Sequence, residues 1–449
     1  MNTPLRRVDF SPRDLRALII PLIIEQLLSI TVGLADSIMV AQVGEAAMSA
    51  VSLVDTVNVL LVSAFSALAT GGAAIVGQYL GRREMKQAGH AGTQFLLFMA
   101  EAGLAITALI YLGKGFVLGV VFGQVEADVA AYANTYYLIA EASIPFLAVY
   151  SAGAALFRVV GNSAISMKVS LLMNVINVVG NAVLIFGFGM GVEGVAIPTL
   201  VSRVAAAAVV MVLFLKGDPG LKLDRFTLRN DVQILRYILK FGISGGIENS
   251  MFQLGRILLL STVSALGTAS VAANAIGNTV CAFQNIPGQA IGLAMVTVVS
   301  QCVGAQDYEK AREYTRKLMK YVYFTYAFSV LVSFVLLPLI MKLYNVSAEA
   351  DHMARIIIWM HGIVGALMWP PSFALPNTLR AAGDTRFVLL SSMASMWIMR
   401  VGLGILMGTV WGIGLLGIWI AMLADWAVRI ALFVPRFLGH RWETKGIKE

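Results

Sequence analysis

The chain has 449 residues, of which 58% are hydrophobic and only 13% charged, about half the charged share of an ordinary soluble domain, which is roughly 25%. So much apolar surface excludes a soluble globule and fits a protein whose outer face must match lipid. The formal net charge of +8 does not point to nucleic acid, because the basic residues fall in short loops between apolar runs.

The N-terminus reads MNTPLRRVDFSPRDLR before a long apolar run opens at Leu18. A signal peptide would have a shorter core and a small-residue cleavage site, so this run is expected to be a retained first span. Apolar segments of helical length lie at 15–41, 50–77, 92–112, 132–157, 165–188 and 194–215, and again at 238–264, 270–300, 318–341, 354–379, 387–408 and 412–436. Each reaches or exceeds the about 20 residues that a bilayer core requires. The reading is an all-α membrane protein of twelve transmembrane helices. Its cysteines, Cys281 and Cys302, lie 21 positions apart in one apolar stretch, about 31 Å on one helix, so they are read as small core residues rather than a disulfide.

Loop charges orient the spans. Basic residues gather at Arg6, Arg7 and Arg13, at Arg82, Arg83 and Lys86, and at Arg158 and Lys168. They continue through Lys216, Lys222, Arg225, Arg229, Arg236 and Lys240, then Lys310, Arg312, Arg316, Lys317 and Lys320, and finally Arg380, Arg386, Arg436 and Arg441. The alternate loops hold little beyond Lys114, Lys342 and Arg355. In a twelve-span chain every basic loop then falls on one side, which is the cytoplasmic one, and both termini lie there. The expected location is the cell inner membrane.

The two sets of six repeat each other. At an offset of 223, VGEAAMSAVS (43–52) overlies LGTASVAANA (266–275), Gln78 and Gly81 overlie Gln301 and Gly304, Glu25 overlies Glu248, and GVEGVAI (191–197) overlies GLLGIWI (414–420). RVVGNS (158–163) matches RAAGDT (380–385) at an offset of 222. Six spans return the chain to the same face, so the two six-helix lobes are expected to be related by a pseudo-two-fold axis along the membrane normal, with a site where they meet. The lobes are read as 1–217 and 238–449, joined by a cytoplasmic linker, 218–237.

Charged residues at membrane depth cost roughly 2.5–3.5 kcal/mol each even on the gentler scales, so those retained need a reason. Asp36 stands in SITVGLADSIMVAQVG toward the outer end of span 1. So apolar a setting disfavours a bare anion, and the carboxylate can take a proton or Na⁺. Spans 5 and 6 add Asn174, Asn177, Asn181 and Thr199; Asn177 and Asn181 share a helix face. Their oxygens suit an alkali cation, and their amides equally suit hydrogen bonds between helices. In the second half Glu248, with Asn249 and Gln253 near it and Gln284 on span 8, is a candidate cation or substrate site, and Arg256 is a candidate neutralising partner. Glu101 and Glu141 have no evident partner, Arg203, Arg400, Asp425 and Arg429 read equally as packing ion pairs, and Asp55 reads as a solvated residue near the outer end of span 2. Pro145, Pro287 and the Trp369-Pro370-Pro371 cluster with Pro376 are expected to interrupt spans 4, 8 and 10.

Taken together, Pro21, Asp36 and VGEAAMSA, RVVGNS followed by NVINVVGNAVLIFGFGMGVEGVAIPTL, LRAAGDT and GLLGIWIAMLADW resemble the multidrug and toxic compound extrusion (MATE) family over nearly the whole chain. The resemblance implies a secondary active multidrug exporter. It would antiport organic compounds, often cationic, against inward Na⁺ or H⁺ by alternating access through a cavity between the lobes. It implies that Asp36, Asn177, Asn181 and Thr199 form the cation-coupling cluster, and that Glu248 matches an acid found on span 7 in several branches. Many members carry an acid where this chain has Asn181, and the span 10 acid of one bacterial branch is missing from MWPPSFALPN.

Small organic substrates and the bilayer are the expected partners of a monomer, with no cofactor beyond the coupling ion. A flippase for lipid-linked saccharides or other amphiphiles is the alternative, although such relatives carry more spans and a more cationic cavity. A major-facilitator carrier also has six plus six spans, but GQYLGRRE only loosely mimics its loop motif. Without a GxxxxGK[ST] loop, a zinc-ligand set or a catalytic triad, no enzyme or primary pump is expected.

Overall fold

The computed structural model describes residues 8–121, 126–217, 221–224, 230–344 and 346–447. Arg6, Arg7, Arg225, Arg229 and parts of the expected linker lie outside the described residues. Among the described residues the chain is helical throughout and contains no strand.

Among the described residues, ten helices are long and apolar enough to cross a bilayer: Pro12–Val43, Glu45–Gly81, Met85–Leu112, Ser163–Gly187, Glu193–Leu215, Thr268–Gly304, Tyr308–Tyr344, Ala348–Ala381, Thr385–Val410 and Leu415–Leu438. Span 4 is a bent pair, Ala127–Glu141 and Ile144–Val159, turning by 43°. Span 7 is the 33-residue helix Val232–Ser264, made less apolar by Arg236, Lys240, Glu248 and Arg256. Together these are the twelve spans, and the fold is the all-α, twelve-helix membrane architecture.

Local chemistry explains the ends. Ser11 caps span 1 by accepting from the Asp14 amide, while the Asp14 carboxylate accepts from the Ser11 amide (3.2 and 2.8 Å), a capping box followed by Pro12 at the first helical position. The repeat is also written in the backbone. Gly161 and Gly383, matched in RVVGNS and RAAGDT, have φ of 88° and 89°, a conformation that strains any side chain but glycine's. Arg83 and Gln306, also matched, take φ of 60° and 59° without being glycines.

The chain divides into two compact units, Phe10–Gly246 and Ile247–Glu449, the latter with residues up to Asp9. Inside the first, span 1 packs on span 5, span 5 on span 6, and span 2 on both arms of span 4. Their shared core includes Ala50, Val54, Ala133, Tyr137 and Val195. Inside the second, span 8 packs on spans 9 and 10, and span 10 on span 12.

The prolines act unequally. Pro145 opens the second arm of span 4 just after its bend. Pro370 and Pro371 start a π-helical stretch, Pro370–Ala374, whose loosened carbonyls are partly satisfied by the Asn377 amide on Phe373 and Ala374, both at 3.2 Å, as backbone at membrane depth requires. Span 8, in contrast, runs unbroken through Pro287, against the expected interruption. There Gly288 lies so close to Trp369 that a Cβ would meet the indole at 2.2 Å, and this packing holds the helix on course.

Candidate functional site

Close approach of two helices builds the first-half site. Gly180 sits between Asn177 and Asn181 on span 5, and a Cβ there would fall 2.7 Å from Pro198 Cβ on span 6. The missing side chain lets the spans close, bringing Asn177 to Thr199, the residue after Pro198. Asn177 and Thr199 then meet at 3.2 Å.

Span 1 completes the cluster. Asn181 Nδ2 donates to Asp36 Oδ1 at 2.8 Å. Turned to suit its neighbours, the Asn177 amide donates to Asp36 Oδ1 and Oδ2 at 2.9 and 3.1 Å, and its own oxygen accepts from Thr199 Oγ1 at 3.2 Å. Asn181 is fully buried and Asn177 nearly so, and Asn181 Oδ1 has no donor. Asp36, Asn177, Asn181 and Thr199, named from sequence, thus stand in one hydrogen-bonded group. Asn174 lies one turn earlier on span 5 and lines the same cavity, of about 290 Å³.

That cavity holds residues the sequence reading left aside: Asp55 and Asn58 from span 2, Tyr136 from span 4, and Ser202 and Arg203 from span 6. Asp55 was expected to be an ordinary solvated side chain. It is indeed accessible, but it shares its cavity with Asp36. A signal for this existed: Asp36 and Asp55 lie at similar distances either side of Gly44, where spans 1 and 2 reverse, so an antiparallel pair places them at similar depth. Arg203 Nη1 donates to Ser143 Oγ at 2.7 Å and, among the described residues, enters no ion pair.

The second-half candidates do not converge. Arg380 Nη2 donates to both Glu248 oxygens at 2.8 Å, so the neutralising partner is Arg380 and not Arg256. Gln284 is fully buried; its Nε2 donates to Ser333 Oγ at 2.7 Å, and its Oε1 faces His361 Nδ1 at 2.8 Å. Among the described residues no hydrogen bond joins Glu248, Gln253 and Gln284.

The other membrane carboxylates are accounted for with one exception. Asp425 pairs with Arg429 at 2.9 Å and with Arg400 at 3.8 Å, both rings of Phe252 and Phe373 lying under the guanidinium groups. Glu101 accepts from Asn230 at 3.0 Å. Glu141 is the exception: it is fully buried and neither of its oxygens has a donor.

Comparison with known proteins agrees with this architecture. The chain is 27% identical to the uncharacterized transporter YisQ of Bacillus subtilis over 99% of its own length and 98% of that protein's. It is 24% identical to the probable multidrug resistance protein NorM of Thermotoga maritima over 99% and 96%. Its fold superposes on the Vibrio cholerae MATE transporter VcmN with a TM-score of 0.87, at 18% identity over 96% of this chain and 98% of that one. It superposes on a multidrug resistance MATE family transporter of the MOP superfamily with a TM-score of 0.88, at 19% identity over 95% of each. The MatE family model matches twice, over residues 21–183 and 246–406, once in each half of the repeat, so the chain belongs to the MatE family of multi-pass multidrug efflux transporters.

Proposed function

We propose that this protein is a secondary exporter of small organic compounds, driven by inward Na⁺ or H⁺ exchanged at Asp36. The observation that carries the reading is the Asp36–Asn177–Asn181–Thr199 group. A bare Asp36 carboxylate is served by the Asn177 and Asn181 amide N–H groups, at 2.8–3.1 Å. Once Asp36 takes up a proton or a cation, Asn181 Oδ1, which has no donor, offers a further oxygen beside it.

In this reading cation binding at Asp36 repacks span 1 against spans 5 and 6, and that local change favours one access state over the other. The lobes 1–217 and 238–449, joined at 218–237, are the units that alternate. Each charge moved inward gains about 2.3 kcal/mol per 100 mV of membrane potential, so one or two ions sustain a useful gradient. The loop charges support a cell inner-membrane protein with both termini in the cytoplasm. The multidrug names of the relatives support drugs as substrates, and the protein is taken to act as a monomer.

Ethidium efflux from proteoliposomes under separately imposed Na⁺ and pH gradients tests the proposal. Efflux should follow one of the gradients and be lost in Asp36→Asn. Efflux that needs neither gradient, or that persists unchanged in Asp36→Asn, overturns it.

A further inference from the structure

Asp36 is not the only carboxylate at the cavity wall. Asp55 faces the same space from span 2, and its contacts are weak. Its Oδ1 accepts from the Tyr136 hydroxyl at 3.3 Å and from Asn58 Nδ2 at 3.4 Å, both longer than the usual range for such bonds. Among the described residues Asp55 enters no ion pair. It also remains accessible, so an ion can reach it.

The surrounding polar atoms are incomplete in a way that points to a ligand. Asn58 is 6% exposed and lines the cavity beside Asp55. Its Nδ2 is turned to the carboxylate, and its Oδ1 has no donor. A buried amide oxygen without a donor carries a desolvation cost, and a cation held between it and the carboxylate removes that cost.

Charge balance agrees. The charged groups facing this region are Asp36 from span 1, Asp55 from span 2, Glu141 from span 4 and Arg203 from span 6, with the Tyr136 phenol among them. Arg203 shares the cavity wall with Asp36 and Asp55, whereas Glu141 is sealed from solvent and absent from that wall. Three carboxylates therefore face one guanidinium, which leaves two negative charges for bound cations to balance.

From this geometry we propose that Asp55, with Asn58 and Tyr136, is a second monovalent-cation position, so that the first lobe exchanges two cations per cycle. The inference rests on the antiport reading above and extends it to stoichiometry. Glu141, sealed from solvent and absent from the cavity wall, stays out of the exchange.

The test counts ions on the full chain. Binding of radioactive Na⁺ and proton uptake, followed with a pH indicator, are measured on detergent-purified protein. Cations entering per ethidium exported are measured in proteoliposomes. The Na⁺ and proton arms separate the two sources of charge. The expected counts are two cations for the native protein, one for Asp55→Asn, and two again for Asp55→Glu. An Asp55→Asn protein that keeps the native cation-to-ethidium ratio and the native bound-ion count overturns the second position. If Asp55→Asn does not yield folded protein, Asn58→Ala decides: it should weaken one of two binding phases at least fivefold and leave the other, and two unchanged phases overturn the proposal. Loss of the antiport reading looks different, because Asp36→Asn would then leave ethidium flux and its ion dependence intact.

Discussion

Arg380 grips both carboxylate oxygens of Glu248 at 2.8 Å, and its repeat counterpart Arg158 holds Glu25 at 3.2 Å in the other half. Ser166 adds a 2.9 Å bond to the same Glu25. The repeat therefore conserves an ion pair within each half as well as a set of scaffold glycines. A pair duplicated with its partner motif has a structural purpose: it ties the seventh span to the end of the tenth, and the first to the end of the fourth.

Removing one member should therefore be costly in stability. Glu248→Gln leaves a half-buried guanidinium without its charge partner and is expected to destabilise the protein by about 2–3 kcal/mol. The lowered unfolding temperature of purified protein, followed by intrinsic fluorescence, reports it. The double variant Glu248→Gln, Arg380→Gln should recover part of the loss, whereas a residue used only for substrate would show no such rescue.

The 2.8 Å bond from Asn181 to Asp36 is charge-assisted when Asp36 is ionised. Asn181→Ala removes it together with the Oδ1 that has no other donor. Loss of a hydrogen bond to a charged group is worth about 1.5–3 kcal/mol, or a shift of roughly 10- to 100-fold in the concentration of coupling ion giving half-maximal efflux. Ion titrations of ethidium flux, with maximal flux recorded separately, check the value.

Gly180 supplies the close contact that seats this cluster. Gly180→Val drives side-chain atoms into Pro198 and should cost about 1–3 kcal/mol through overpacking. Spans 5 and 6 must separate to accept it, so the same variant should also weaken ion dependence although it touches neither ion nor substrate. Gly187, on the same span with nothing within 4 Å of a Cβ, is the control; Gly187→Ala should be nearly silent in both measurements.

In the second half the Asp425 carboxylate is fully buried against Arg429 and accepts also from Ser395. Asp425→Asn strands two guanidinium groups in the membrane interior and is expected to cost about 3–5 kcal/mol. Yield of monodisperse protein and its unfolding temperature are the readouts. Substrates and coupling ions added during the measurement should not restore it, which separates this packing network from the ion site.

The amino-acid sequence by itself determined the twelve spans, because length and apolarity are local properties that the bilayer reads residue by residue. It determined the repeat too, down to turn positions such as Gly161 and Gly383, where backbone geometry restricts the residue. The Asp36, Asn177, Asn181 and Thr199 set was legible because residues four apart share a helix face and the family pattern supplied the rest. What only the tertiary structure decided was pairing across long separations. Arg256 lies on the same helix as Glu248, about 12 Å further along the axis, too far to touch it, while Arg380 arrives from 132 residues away at 2.8 Å. Asp55 changed its meaning for the same reason. Read along the chain it was a polar residue near a helix end; with spans 1 and 2 folded back on each other it becomes the second carboxylate of the cavity that Asp36 lines. Electrostatics acts through space, and the distances that set it exist only once the helices have packed.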